Sequence, residues 1–178
     1  MTTEQLQYPI GKFQVPDVIS MEILSTWIGE IAAFPDQLRA EVAELNDKEL
    51  DATYRPGGWS IRQVVHHCAD SHLNSFIRIK LALTEETPTI KPYAEDKWAE
   101  LADSNHMPIQ ASLNLLDGLH ARWAYLLSQV DEADFQRDVY HPEQGRNIRI
   151  NEIIGFYAWH CQHHLAHIRE AKESIMNK

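Results

Sequence analysis

Apolar residues in this chain fall into four long stripes at spacings of three and four, the period of a helix with one buried face. In the first, Ile23, Trp27, Ile31, Phe34, Leu38, Val42 and Leu45 step by 4, 4, 3, 4, 4 and 3, the pattern of a bundle seam. Ser20 is placed to cap it. The register continues across Pro35, which predicts one long helix kinked before that residue. Asn46 and Asp47 end it, and a short helical turn follows around Lys48–Leu50. The second stripe is Ile61, Val64, Val65, Cys68, His72, Ile79 and Leu83. Ser60 with Gln63 is a capping box that opens it, and Thr84 leaves it. Pro108 suits the first position of a third helix, with seam Ile109, Leu113, Leu116, His120, Trp123, Leu127 and Val130. The fourth begins near Ile150 and carries Ile153, Ile154, Tyr157, Cys161, Leu165 and Ile168.

Four amphipathic helices predict an all-α four-helix bundle, read as a single domain over residues 1–178. Residues 1–19 hold Pro9, Gly11 and Pro16, lack a helical period and read as an extended surface arm. Tyr54 to Trp59, with Pro56, Gly57 and Gly58, reads as a shaped turn with no phosphate-loop pattern. Residues 85–107 form a long connection with a short helix around Glu95–Leu101, and residues 131–149 form a second, polar one. Crossovers of this length favour an order other than simple up-down-up-down.

Composition narrows the partners. The net charge of −10 argues against a nucleic-acid groove or a basic membrane-binding face. No run of 18 apolar residues is present, and the first residues lack a basic segment followed by an apolar one, so the default location is the cytoplasm. Cys68 and Cys161 both fall inside helical stripes and read as small buried residues in a reducing compartment.

The chemistry concentrates in the fourth helix. His160, His163, His164 and His167 stand within eight residues, where average composition would place about 0.4 of one. The pairs 160/164 and 163/167 each lie one turn apart, where two imidazoles can converge on one ion. At roughly 100° per residue, His164 lies about 40° and His160 about 80° from the centre of the apolar stripe. His167 and His163 lie at roughly 100° and 140°, toward solvent. A ligand pair needs partial burial to fix ring orientation, which selects His160 and His164. His106, His141, His163 and His167 then read as surface residues, and Trp59, Trp123 and Trp159 as core. A third ligand must come from another helix. The second offers His66, His67 and His72, and periodicity does not choose among them.

The run YRPGGWSIRQVVHHCADSH, followed downstream by WHCQHHLAH, resembles the DinB superfamily, and closely its YfiT branch of metal-dependent hydrolases. The likeness extends over nearly the whole chain, including SLNLLDGLHARW and VYHPE. It implies that His67, His160 and His164 are metal ligands. It also implies an unusual four-helix arrangement, a homodimer, and one divalent ion per chain, zinc first and nickel second. Cys68 departs from the family's usual leucine beside the ligand. Three neutral imidazoles leave a position open for chemistry, so such an ion can activate water toward an ester or amide, or a thiol toward an electrophile. The expected partner is therefore a small molecule. The alternative to hydrolysis is transfer of a low-molecular-weight thiol such as bacillithiol, mycothiol or glutathione. A third reading is a non-catalytic metal-binding dimer, in which His72 or Asp70 closes the fourth position. Cys161 rather than Glu follows His160, so no HExxH base is present. Asp70, His72, His120 and Glu152 are the candidates for supporting or proton-transfer work, with a capping, core or surface role the simpler account of each. Trp98, Tyr93 and Tyr140 lie outside the four seams and are candidates for the dimer contact.

Overall fold

The computed structural model describes residues 3–176. Its long helices are α2 (Met21–Val42), α4 (Ile61–Thr84), α7 (Gln110–Ser128) and α8 (Ile150–Met176), joined through short helices α1 (Thr3–Gln7), α3 (Asp47–Leu50), α5 (Glu95–Ala99) and α6 (Ala102–His106). Both α2 and α4 pack against α7 and α8. Helices consecutive in sequence, α2 with α4 and α7 with α8, therefore stand across the diagonals, and the order is not up-down-up-down.

Caps set the helix starts. The Ser20 hydroxyl accepts the Ile23 N–H at 3.2 Å. Ser60 accepts the Gln63 N–H at 3.2 Å while the Gln63 side chain accepts the Ser60 N–H at 2.9 Å. That reciprocal pair leaves neither orphan donor buried without a partner. Asn46 and Glu49 repeat the arrangement at α3. Helix α2 continues through the buried Pro35 and ends at Val42, short of Leu45. In its first turns Leu24 enters the core, while Ile23 and Trp27 stay half-buried. The core proper is built from Ile31, Phe34, Leu38, Val65, Ile79, Leu116, Trp123, Ile154 and Leu165.

Three local expectations are corrected. The N-terminal arm is not extended throughout, since Thr3–Gln7 is helical; Met1 and Thr2 lie outside the described residues. The connection after α4 holds two short helices, α5 and α6, rather than one. The all-α expectation meets a local exception in the connection after α7. It contains a 3₁₀ turn (Asp134–Gln136) and a hairpin, β1 (Asp138–His141) antiparallel to β2 (Arg146–Arg149), with Val139 opposite Ile148. Gly145, at φ 62°, makes the left-handed turn between the strands. Tyr140 also exchanges backbone hydrogen bonds with the Pro88 carbonyl (3.0 Å) and the Ile90 N–H (3.1 Å), so the two long connections are tied to each other. Among the described residues no helix is long and apolar enough to cross a membrane.

Candidate metal centre

Helices α4 and α8 run antiparallel: His67 meets His160 near the α4 start, and one turn later Ser71 meets Tyr157. This pairing brings together imidazoles 93 residues apart in sequence. The Nε2 atoms of His67 and His160 are 3.2 Å apart, and those of His164 and His160 are also 3.2 Å apart. One ring nitrogen from each of the three lies within 4.8 Å of the others. Two donors at zinc–nitrogen distances of about 2.0–2.1 Å from a shared ion are about 2.9–3.4 Å apart, so the spacing fits a divalent cation. Trp59, which the capping box holds at the mouth of α4, packs its ring 4.6 Å from His67 and forms a wall of the site. It was expected in the core and is only half-buried.

Burial keeps these rings neutral. It pushes His67 down to about 4, and it holds His160 and His164 well below the ordinary imidazole value, with neighbouring histidines adding to the effect. Neutral imidazole is the form that binds a metal.

His163 and His167, expected at the surface, are buried at 7% and 3% exposure. The helical wheel placed them away from the bundle centre, and that geometry is sound. The covering comes partly from segments outside the four long helices and partly from Trp159 on α8 itself. Tyr54 stacks on His167 at 3.9 Å, Trp159 stacks on His163 at 4.4 Å, and Tyr8 of the arm reaches His163 at 5.9 Å. The Gln7 carbonyl accepts a hydrogen bond from His167 Nε2 at 3.2 Å. His163, His164 and His167 form a second group with ring nitrogens within 4.8 Å. His164 belongs to both groups, and one nitrogen of His167 is committed to Gln7, so the second group is better placed to support His164 than to hold an ion itself. The one sequence signal for this burial was histidines recurring on more than one face, next to Trp159.

The other candidates divide. His72 and His120 are fully buried behind the cluster: His72 Nε2 lies 2.9 Å from His160 Nδ1, and His72 Nδ1 lies 2.8 Å from His120 Nε2. Neither His72 nor Asp70 joins the three-nitrogen group, so among the described residues no fourth ligand closes it. His66 points elsewhere, to Ser112 (2.8 Å) and the Met107 carbonyl (3.1 Å). Asp70 is half-buried, its carboxyl pushed up to about 6 by burial and by the Asp103 charge. Glu152 takes the Arg146 guanidinium at 2.8 Å and the Arg149 N–H at 3.4 Å, and so fastens the hairpin to the first turn of α8. His106 is exposed and His141 partly so. Cys68 and Cys161 are fully buried free thiols, raised above their ordinary values by burial, and are inert as nucleophiles.

The DinB superfamily pattern matches residues 30–168. A protein of Bacillus mycoides (strain KBAB4) named "Putative metal-dependent hydrolase" is 49% identical over 172 residues, covering 97% of this chain and 98% of its own. One of the same description from Oceanobacillus iheyensis is 52% identical over 162 residues, covering 91% and 93%. Among solved structures, YfiT from Bacillus subtilis, described as "a probable metal-dependent hydrolase with an unusual four-helix bundle topology", superposes with a TM-score of 0.94 at 46% identity, covering 96% of this chain and 98% of that one. A mycothiol-dependent maleylpyruvate isomerase shares the fold at TM-score 0.64 and 19% identity, over 82% of this chain and 60% of its own.

Proposed function

Because the chain belongs to the DinB superfamily, we propose that it is a metal-dependent hydrolase in which His67, His160 and His164 hold one divalent ion. The observation that carries this reading is the convergence of three neutral imidazoles, with His160 Nε2 3.2 Å from the Nε2 atoms of both His67 and His164 and no fourth protein donor among the described residues. Zinc suits three imidazoles best and nickel next. When bound, the ion would supply Lewis acidity, polarising a substrate oxygen and lowering the pKa of water or of a thiol. The protein's part is to present the three lone pairs, to keep them neutral by burial, and to wall the site with Trp59. The substrate is a small molecule, and two buried free cysteines suit a reducing cytoplasm. A homodimer is part of the same reading, with the exposed Trp98 and Tyr140 as contact residues.

The test incubates zinc-loaded and nickel-loaded protein with activated esters and amides, and separately with a low-molecular-weight thiol and a haloalkane or epoxide. Hydrolysis that disappears on chelation and in His160→Ala supports the proposal. Thiol conjugate without hydrolysis selects a thiol transferase, which the same open three-imidazole set would serve. Neither product, with the ion bound at one per chain, identifies a non-catalytic site.

A further inference from the structure

We infer that His72 and His120 are positioning residues for the ion: anchored on the Ile31 carbonyl, they hold His160 in its Nδ1–H tautomer and present its Nε2 lone pair to the site. This inference rests on the reading that His67, His160 and His164 are the ligands.

The direction of every hydrogen bond in the chain follows from one end. The Ile31 carbonyl oxygen has only lone pairs, so His120 Nδ1, at 2.6 Å, carries a proton. A neutral imidazole has one proton, which leaves His120 Nε2 bare. The nitrogen facing it at 2.8 Å, His72 Nδ1, is then the donor. His72 Nε2 is bare in its turn and accepts from His160 Nδ1 at 2.9 Å. What remains on His160 is a bare Nε2, the atom that lies 3.2 Å from the Nε2 of both His67 and His164. Reversing the series would set lone pair against lone pair at the Ile31 carbonyl, where no solvent reaches: His72 is 0% exposed and His120 1%.

Packing alone does not account for these two rings. Phe34 lies 5.1 Å from His72 and 5.5 Å from His120, and Trp123 lies 6.1 Å and 5.6 Å from them. An apolar side chain would fill that surrounding without desolvating an imidazole. Instead all four ring nitrogens are matched head to tail. The series also crosses the whole bundle, from α2 (Ile31) through α7 (His120) and α4 (His72) to α8 (His160), so the packing of all four long helices fixes the aim of one ligand. A one-ring version stands behind His164. His167 donates from Nε2 to the Gln7 carbonyl, and its Nδ1 lies 3.4 Å from His164 Nδ1.

The experiment compares zinc affinity, by competition with a chromophoric chelator, in His72→Leu and His72→Gln, each also melted in its metal-free form. A glutamine amide oxygen can stand near the place of Nε2 and accept from His160; leucine cannot. His72→Leu is expected to weaken zinc binding about 10- to 100-fold, the usual effect of removing a group that orients a ligating histidine. His72→Gln is expected to restore most of that loss. A purely structural role predicts the reverse order, because leucine is the better filler of an apolar site. Equal zinc affinity in wild type and His72→Leu, or equal loss in both variants, overturns the inference. If His72→Leu does not melt cooperatively, His120→Leu against His120→Gln is read the same way one ring further out. His67→Ala separates the two levels of the reading. If it empties the site while His72→Leu binds normally, the positioning role alone falls; if it binds zinc like wild type, the ligand assignment falls and the positioning role with it.

Discussion

Moderate acid should unfold the metal-free protein, because the native state keeps its buried histidines from taking up protons. An imidazole in the unfolded chain titrates near 6.5. Burial pushes His67, His120 and His167 each down to about 4 in the native state. Between those values the unfolded state binds more protons, so stability rises with pH and falls on acidification. The contribution is fully present above about pH 6.5 and is lost progressively as pH falls toward 4. At pH 5.5 each group removes about 1.4 kcal/mol relative to pH 7.5, and the three together on the order of 4 kcal/mol. The figure depends on the unfolded pKa and hardly at all on how far below about 4.5 the native value lies. His163, pushed down to about 3, and His72, His160 and His164, well below their ordinary value, shift in the same direction and add to the loss. Asp70, pushed up to about 6, works the other way, by well under 1 kcal/mol once its partial exposure is allowed for. Domains of this kind have about 5–15 kcal/mol in all, so the effect is large. The assay is urea unfolding followed by helical circular dichroism, in chelator at fixed ionic strength, at pH 7.5 and 5.5. A much lower midpoint at pH 5.5 with an unchanged slope is expected. Equal midpoints would show that these rings are protonated or solvated in the native state, and the account of the site as dry and neutral would fail.

Replacing His67, His160 or His164 by Ala should drop the metal content from about one ion per chain toward zero, measured by elemental analysis after gel filtration, whereas His106→Ala should leave it unchanged. Chelation should lower the melting temperature but preserve helical dichroism and a cooperative melt, since the apolar core holds the bundle without the ion. Gly155→Ala should destabilise by about 1–3 kcal/mol in thermal melts, because its new Cβ would meet Trp27 ring atoms at 2.7 and 2.8 Å and Phe13 at 3.0 Å. Sedimentation at micromolar concentration should show a dimer that weakens when Trp98 is replaced by Ser; a monomer throughout would remove that proposal.

The four helices were legible because each buries one face against the others, which writes a period into the sequence; the Ser60–Gln63 cap was placed to the residue, and the helix runs one residue past its expected end, through Thr84. His160 and His164 were legible for the same reason. The hairpin was not. Its strands are four residues each and mostly polar, and their stability comes from the joining of two loops at Tyr140 rather than from an alternating face. The burial of His163 and His167 was hidden for a related reason. A helical wheel knows only the bundle's own core, while Tyr8, Gln7 and Tyr54 come from segments whose path no periodicity reveals. The choice of His67 over His66 and His72 needed the resemblance to relatives, because all three lie on one helix and only the pairing of α4 with α8 decides that His67 meets Nε2 of His160 while His72 meets its Nδ1.

That pairing has a consequence for how the protein is made. The helix carrying two of the three proposed ligands follows the other three long helices in sequence, and His67 is 93 residues upstream of His160. During synthesis α4 leaves the ribosome with His67 and His72 facing an empty groove. His72 gains its first partner when α7 brings His120, and His67 meets His160 only when α8 docks between α2 and α4. On the proposed ligand assignment, the ion is captured only once α8 has been made. A product terminated anywhere before His164 lacks both the seam that closes the bundle and a complete ligand set, so it presents an open apolar groove to proteases instead of persisting as a partly active enzyme.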